Sequence, residues 1–140
     1  LADRKKEVFE DDLRVLIASI RDESFVTYTL DTVRTSGDDP AMALVKLRKG
    51  DEVLIDTAIG DGPIDAACQA IEKLVGVAGR LEDFNIRAAT AGKDALGDAH
   101  VSVRFEDRVY YGVGADTNII RAAVTAYLNA VNKHLAVQAT

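Results

Sequence analysis

The sequence predicts an α+β domain of two βββα units, related as an internal duplication about a pseudo-twofold axis and preceded by a short linker helix. Three observations carry that prediction. Strand-like segments come in two runs of three, within residues 24–60 and 80–114. Each run ends on a glycine and passes at once into an Ala-Ala helix, "AIGDGPIDAACQAIEKLV" in the first case and "GVGADTNIIRAAVTAYLNAV" in the second. The same order therefore appears twice in 140 residues, giving a linker segment at 1–23, unit one at 24–79 and unit two at 80–140.

The opening "LADRKKEVFEDDLRVLIASI" reads as a polar lead and then about three helical turns, capped by Asp11 or Asp12, with Leu13, Leu16, Ile17 and Ile20 at helical spacing. In "SFVTYTLDTVRTSG", Phe25, Tyr28, Leu30 and Val33 stand among threonines, the composition of a strand. "GDDPA" is turn chemistry, and Asp38 and Asp39 serve the turn. "AMALVKLRKG" reads as a second strand in which Met42, Leu44 and Leu47 alternate with small or charged neighbours. "KGDE" marks a hairpin, and "EVLIDTAIG" is the third strand, ending at Gly60. In unit two, "LEDFNIRAATAG" is a strand, "KDALGD" a turn, and "AHVSVRFED" a strand with Val101, Val103 and Phe105 on one face. "RVYYGVG" is the third strand, and "DTNIIRAAVTAYLNAVNKHLA" the closing helix.

Composition narrows the function. The net charge is −6, and apart from Arg4–Lys6 the basic residues are scattered, so no basic face is available for nucleic acid. No apolar run is long enough to span a bilayer, and nothing at the start resembles a secretory leader. A single cysteine, Cys68, allows no internal disulfide and suits the cytoplasm. A chain that opens on Leu1 rather than Met reads as a piece of a longer one.

The glycines of "IGDGPIDAACQAIEKL" first suggest a phosphate cradle. They lack the lysine and serine or threonine of a P-loop and do not fit the dinucleotide spacing. The structural reading is that Gly60 and Gly62 allow backbone angles other residues avoid, and that Pro63 sits at the first helical position, where its missing N–H costs nothing. What is left is a helix N-terminus whose N–H groups suit a carboxylate as readily as a phosphate. His100 and His134 have no second ligand at metal spacing, and Cys68 among alanines reads as a small apolar residue rather than a nucleophile. Ser24, Ser36 and Ser102 have no recognisable base. No enzyme emerges from composition and spacing.

Three segments, "GDGPIDAACQAI", "DFNIRAATAGKDALGDAHVSV" and "GVGADTNIIRAAVTAYLNAVNK", resemble in order the C-terminal regulatory domain of 2-isopropylmalate synthase, and "LADRKKEVFEDDL" resembles the linker before it. Citramalate synthase carries a similar domain. The resemblance implies a parent acyltransferase with a (β/α)8 barrel that condenses acetyl-CoA with a 2-oxo acid on a divalent metal. That barrel is absent from this sequence, so the segment itself implies no cofactor and no catalytic or metal residue. It further implies a homodimeric domain that binds the end product, L-leucine, or L-isoleucine in the citramalate case, and signals to the barrel. Carried over by position, the effector site comprises Gly62, Pro63, Ile64 and Asp65 at the helix start, Leu81, Phe84 and Ala88 on the next strand, and Gly97 and Ala99 around "DALGDA". Asp116 and Thr117 at the second helix start complete it, and Asp94 or Asp65 would face the ammonium. Enlarging Gly97 or Ala99 blocks the pocket if they line it, and unfolds the domain if Gly97 only permits the turn and Ala99 only packs.

Overall fold

A computed structural model describes residues 27–88 and 97–138. The linker helix expected at 1–23 and the start of the first predicted strand lie outside the described residues, as does Asp94. The described chain runs β1 (Thr29–Ser36), β2 (Ala41–Lys49), β3 (Glu52–Gly60), α1 (Pro63–Val75), β4 (Arg80–Ala88), β5 (Gly97–Phe105), β6 (Arg108–Asp116) and α2 (Ile119–Gln138). Two antiparallel three-stranded sheets, β1-β2-β3 and β4-β5-β6, are each followed by a helix, which is the predicted βββα-βββα order.

The two units repeat in detail. Both first strands shift register at the corresponding place, Leu30/Thr32 and Leu81/Asp83. The acid at each shift pairs with an arginine on the middle strand, Asp31 with Arg48 at 2.9 Å and Glu82 with Arg104. The Arg48 hydrogen bond, helped by Lys46, holds the Asp31 carboxyl below the usual carboxylate range. Both helices open alike: Ala66 N–H donates to Gly62 O and Ala122 N–H to Asn118 O, each at 2.9 Å. Gly62 and Asn118 are therefore equivalent caps, and the third residue after each is Asp65 and Arg121.

The core lies between the sheets and the helices. Alternation puts Ala99, Val101, Val103 and Phe105 of β5 inward, three of them as the sequence predicts. On β2 the expected face is partly wrong: Ala41, Ala43, Val45 and Leu47 are buried, whereas Met42 and Leu44 point to solvent. Large side chains suggested the inward face, but the alanines are inside because α1, itself lined with Ala66, Ala67 and Ala70, comes close to the sheet. The same small-residue logic seats α2. A Cβ on Gly112 would overlap the Ala126 carbonyl oxygen, and one on Gly114 would lie 2.7 Å from the Ala126 nitrogen.

Backbone geometry corrects the reading of the quoted glycines. Gly62 has φ −172°, extended backbone that any residue adopts, and Gly60 does not take a positive φ either. Gly60 is required for room instead, since a Cβ there would stand 2.6 Å from the Ala66 nitrogen. Among the described glycines the positive angles fall at Gly37, Gly50 and Gly76, of which Gly76 ends α1 in the left-handed region.

α2 also ties the units together. Asn132, buried, accepts from the Tyr28 N–H and donates to the Tyr28 carbonyl, both at 2.9 Å. Arg121 donates to the carbonyls of Asp31 at 3.2 Å and Leu30 at 3.3 Å. α2 thus packs against β1 of the other unit; α1 makes no comparable contact with β4 among the described residues. Among those residues no helix is long and apolar enough to cross a membrane.

Candidate functional site

Where α1 stands off from β4, an open cleft of about 300 Å³ remains. Its apolar wall is Ile64 and Cys68 from α1 with Leu81 and Phe84 from β4. Phe84 pairs with Val101 and Leu81 with Val103, so both point to the helix side of the sheet, yet they stay 37% and 39% exposed because no helix among the described residues covers them. Two large apolar side chains left open on an inner face are the mark of a binding cleft rather than of a finished core.

The polar groups are Asp65, Gln69, Glu72 and the Tyr127 side chain. Asp65 Oδ2 accepts from the Asp61 N–H and from Gln69 Nε2, both at 2.9 Å, which ties the incoming loop to the first helical turn. Glu72 Oε1 accepts the Tyr127 hydroxyl at 2.9 Å and the Gly79 N–H at 3.4 Å. Burial, together with Cys68 and Glu72 nearby, pushes the Tyr127 phenol well above its ordinary range, so it remains a donor. The Cys68 thiol is also pushed up, first by burial and then by the Glu72 and Asp65 carboxylates. It is a wall atom and not a thiolate nucleophile.

Among the described residues, two carboxylates and no Lys, Arg or His line this cleft. Its field favours a cation over a phosphate, while the first turn of α1, where no side chain caps the free N–H groups, offers donors to a carboxylate. An amino-acid zwitterion with an apolar side chain matches all three features. No group of three or more His, Cys, Asp or Glu suited to a metal occurs among the described residues.

The structure brings Ile64, Asp65, Leu81 and Phe84 together at this cleft. Gly62 and Pro63 sit just before it as the cap and first residue of α1. Ala88 closes β4 opposite Gly97. Gly97 is not in a turn, as the sequence suggested, but is a paired strand residue facing Asp116 on its other side. Ala99 is fully buried. Asp116 and Thr117 do not line the cleft; Asp116 accepts from the Asn118 N–H at 2.9 Å and pairs with Arg121 at 3.4 Å. Sequence reasoning missed Gln69, Glu72 and Tyr127. The first two were findable, since positions 65, 68, 69 and 72 share one helical face; Tyr127 comes from the other unit's helix and needed the tertiary fold.

A second hollow of about 290 Å³ lies between the β5–β6 turn and the end of α2, beside His134. That imidazole is buried, stacked on Phe105 at 4.4 Å with Tyr110 edge-on at 5.3 Å. It is a core histidine.

Residues 7–135 match the family model described as the LeuA allosteric (dimerisation) domain. The chain is 40% identical over 139 residues to 2-isopropylmalate synthase of Methylacidiphilum infernorum, covering 96% of this chain and 27% of that protein. It is 42% identical over 135 residues to the enzyme of that name from Heliobacterium modesticaldum, covering 95% and 26%. Against the one from Trichodesmium erythraeum it is 39% identical over 141 residues, covering 98% and 26%. The chain spans about a quarter of the length of these curated relatives.

Proposed function

Because this chain belongs to the LeuA allosteric (dimerisation) domain family, we propose that it is the leucine-sensing regulatory part of a 2-isopropylmalate synthase. The observation that carries this reading is the α1–β4 cleft: apolar on Ile64, Leu81 and Phe84, acidic on Asp65 and Glu72, and rimmed by the free N–H groups of a helix start. The side chain of leucine packs on the apolar wall, its ammonium faces the carboxylates, and its carboxylate faces the first turn of α1. The parent enzyme joins the methyl carbon of acetyl-CoA to the keto carbon of 3-methyl-2-oxobutanoate, with water releasing CoA from the thioester, in the cytoplasm and on a metal-binding barrel outside this chain. The regulatory parts pair as a homodimer.

Feedback follows if leucine binds the inhibited state of the whole enzyme more tightly than the active one. The segment before residue 24 is the connection through which that difference reaches the barrel. Isoleucine, the effector of the related citramalate synthases, is the competing ligand, and the relatives' shared name favours leucine. A branch moved by one carbon is worth roughly 1–3 kcal/mol in a shaped pocket.

Calorimetric titration of the chain with L-leucine tests this. Saturable heat is expected, with isoleucine about 10-fold or more weaker. No heat with either amino acid would leave a purely structural dimerisation domain; tighter binding of isoleucine would turn the assignment to the citramalate branch.

A further inference from the structure

The first sheet has an outer face, turned away from α1. On β2 the residues that alternate with the buried alanines point there, Met42, Leu44, Lys46 and Arg48. The register sets Ile59 beside Met42, Ile55 beside Lys46 and Val53 beside Arg48. Met42, Leu44, Val53, Ile55 and Ile59 are all large, apolar and open to solvent, and Ile55 and Ile59, at 57% and 60%, are more exposed than either apolar wall residue of β4. The duplication does not account for this stripe, because the equivalent strand of the other sheet, β5, turns Asp98, His100, Ser102 and Arg104 outward. The charges beside the stripe are mainly basic: Arg34 lies opposite Leu44, and Lys46 and Arg48 share Asp31. A second copy laid face to face would set this basic border against itself.

The segment before β1 carries the complementary pattern. Leu13, Leu16, Ile17 and Ile20 fall at helical spacing, and the acids Glu10, Asp11 and Asp12 stand just ahead of them. As a helix, residues 11–20 would cover about 15 Å, against about 20 Å of strand from Val53 to Ile59. β1 is the edge strand beside β2, and its Thr29 pairs with Arg48, so the chain enters the sheet at the Val53 end of the stripe. Residues 21–26 can reach about 20 Å, more than enough to cross β1 at about 5 Å per strand. We propose that residues 11–20 dock as an amphipathic helix on the outer face of β2 and β3, with Leu13, Leu16, Ile17 and Ile20 on the apolar stripe and the acids toward Arg34. This docking is on the opposite side of the sheet from α1 and stands independently of the amino-acid-sensing reading.

Amide hydrogen exchange on the 140-residue chain tests it. Residues 13–20 should exchange at least about 10-fold more slowly than in a free peptide of the same sequence. Ile55→Asp combined with Ile59→Asp should return them to the peptide's rate, while residues 66–71 of α1 keep the protection of the parent chain. Peptide-like exchange in the parent chain, or protection of 13–20 that survives both substitutions, would overturn the proposal. Should the double variant fail to fold, a nitroxide on Ala18→Cys, on the helix side away from the apolar stripe, decides on a chain with an unaltered sheet. With label and isotope on the same molecules, diluted in unlabelled chains, it should broaden the amides of residues 53–59 more than those of β4. Equal or absent broadening would overturn the proposal, and broadening seen only with label and isotope on different molecules would assign the stripe to a second copy instead.

Discussion

Gly112→Val is expected to cost the domain at least about 3 kcal/mol, a large part of the roughly 5–15 kcal/mol that a domain of this size has. β6 carries α2 with almost no space between the two backbones. A Cβ at Gly112 would overlap the Ala126 carbonyl oxygen and stand 3.0 Å from the Ala130 nitrogen. These are helix backbone atoms, so no rotamer change relieves them; the whole helix must lift. α2 also holds Tyr28 through Asn132, Glu72 through Tyr127 and the β1 carbonyls of Leu30 and Asp31 through Arg121, so lifting it strains all of these links between the units. The reduced conformational freedom of the unfolded chain returns only about 0.4–1 kcal/mol. Urea denaturation followed by circular dichroism measures the difference. Gly62→Ala is the control, because a Cβ there meets nothing within 4 Å and the backbone is extended.

Phe84→Ala and Ala99→Leu should separate the cleft from the core. Phe84 is 37% exposed on the open side of β4, so its truncation should cost roughly 1 kcal/mol of stability while weakening leucine about 10- to 100-fold. Ala99 has no exposure at all and pairs with Ile86 and Gly114 beneath α2. Its enlargement should destabilise the fold by about 1–3 kcal/mol, with any loss of binding following from that. Thermal melts and titrations on the same samples distinguish the two. A Phe84→Ala chain that binds leucine unchanged would remove β4 from the ligand site.

The order of elements was legible because turn residues and glycines punctuate both units in the same way, and β3 and α1 start where the sequence places them. Faces were less legible. On β2 the sequence offers apolar residues at both parities, and only the closeness of α1 decides that alanines go in and Met42 and Leu44 out. The start of α2 was placed at Asp116 and Thr117, but Asn118 caps it, its Oδ1 accepting from the Ile120 and Arg121 N–H groups at 2.9 and 3.2 Å. An asparagine directly before an apolar run carried that signal. The cleft was half legible. Ile64, Asp65, Leu81 and Phe84 came from family resemblance, whereas Tyr127 reaches the cleft from the other unit's helix and bonds Glu72 across 55 residues, a contact that no local pattern encodes.

The most direct test is an amide chemical-shift titration of the chain with L-leucine. The account predicts saturable shifts concentrated at Ile64, Asp65, Gln69, Leu81 and Phe84, with Ile120 and Arg121 at the start of α2 unmoved. Saturable binding that shifts Ile120 and Arg121 and leaves the α1–β4 cleft unchanged would contradict it.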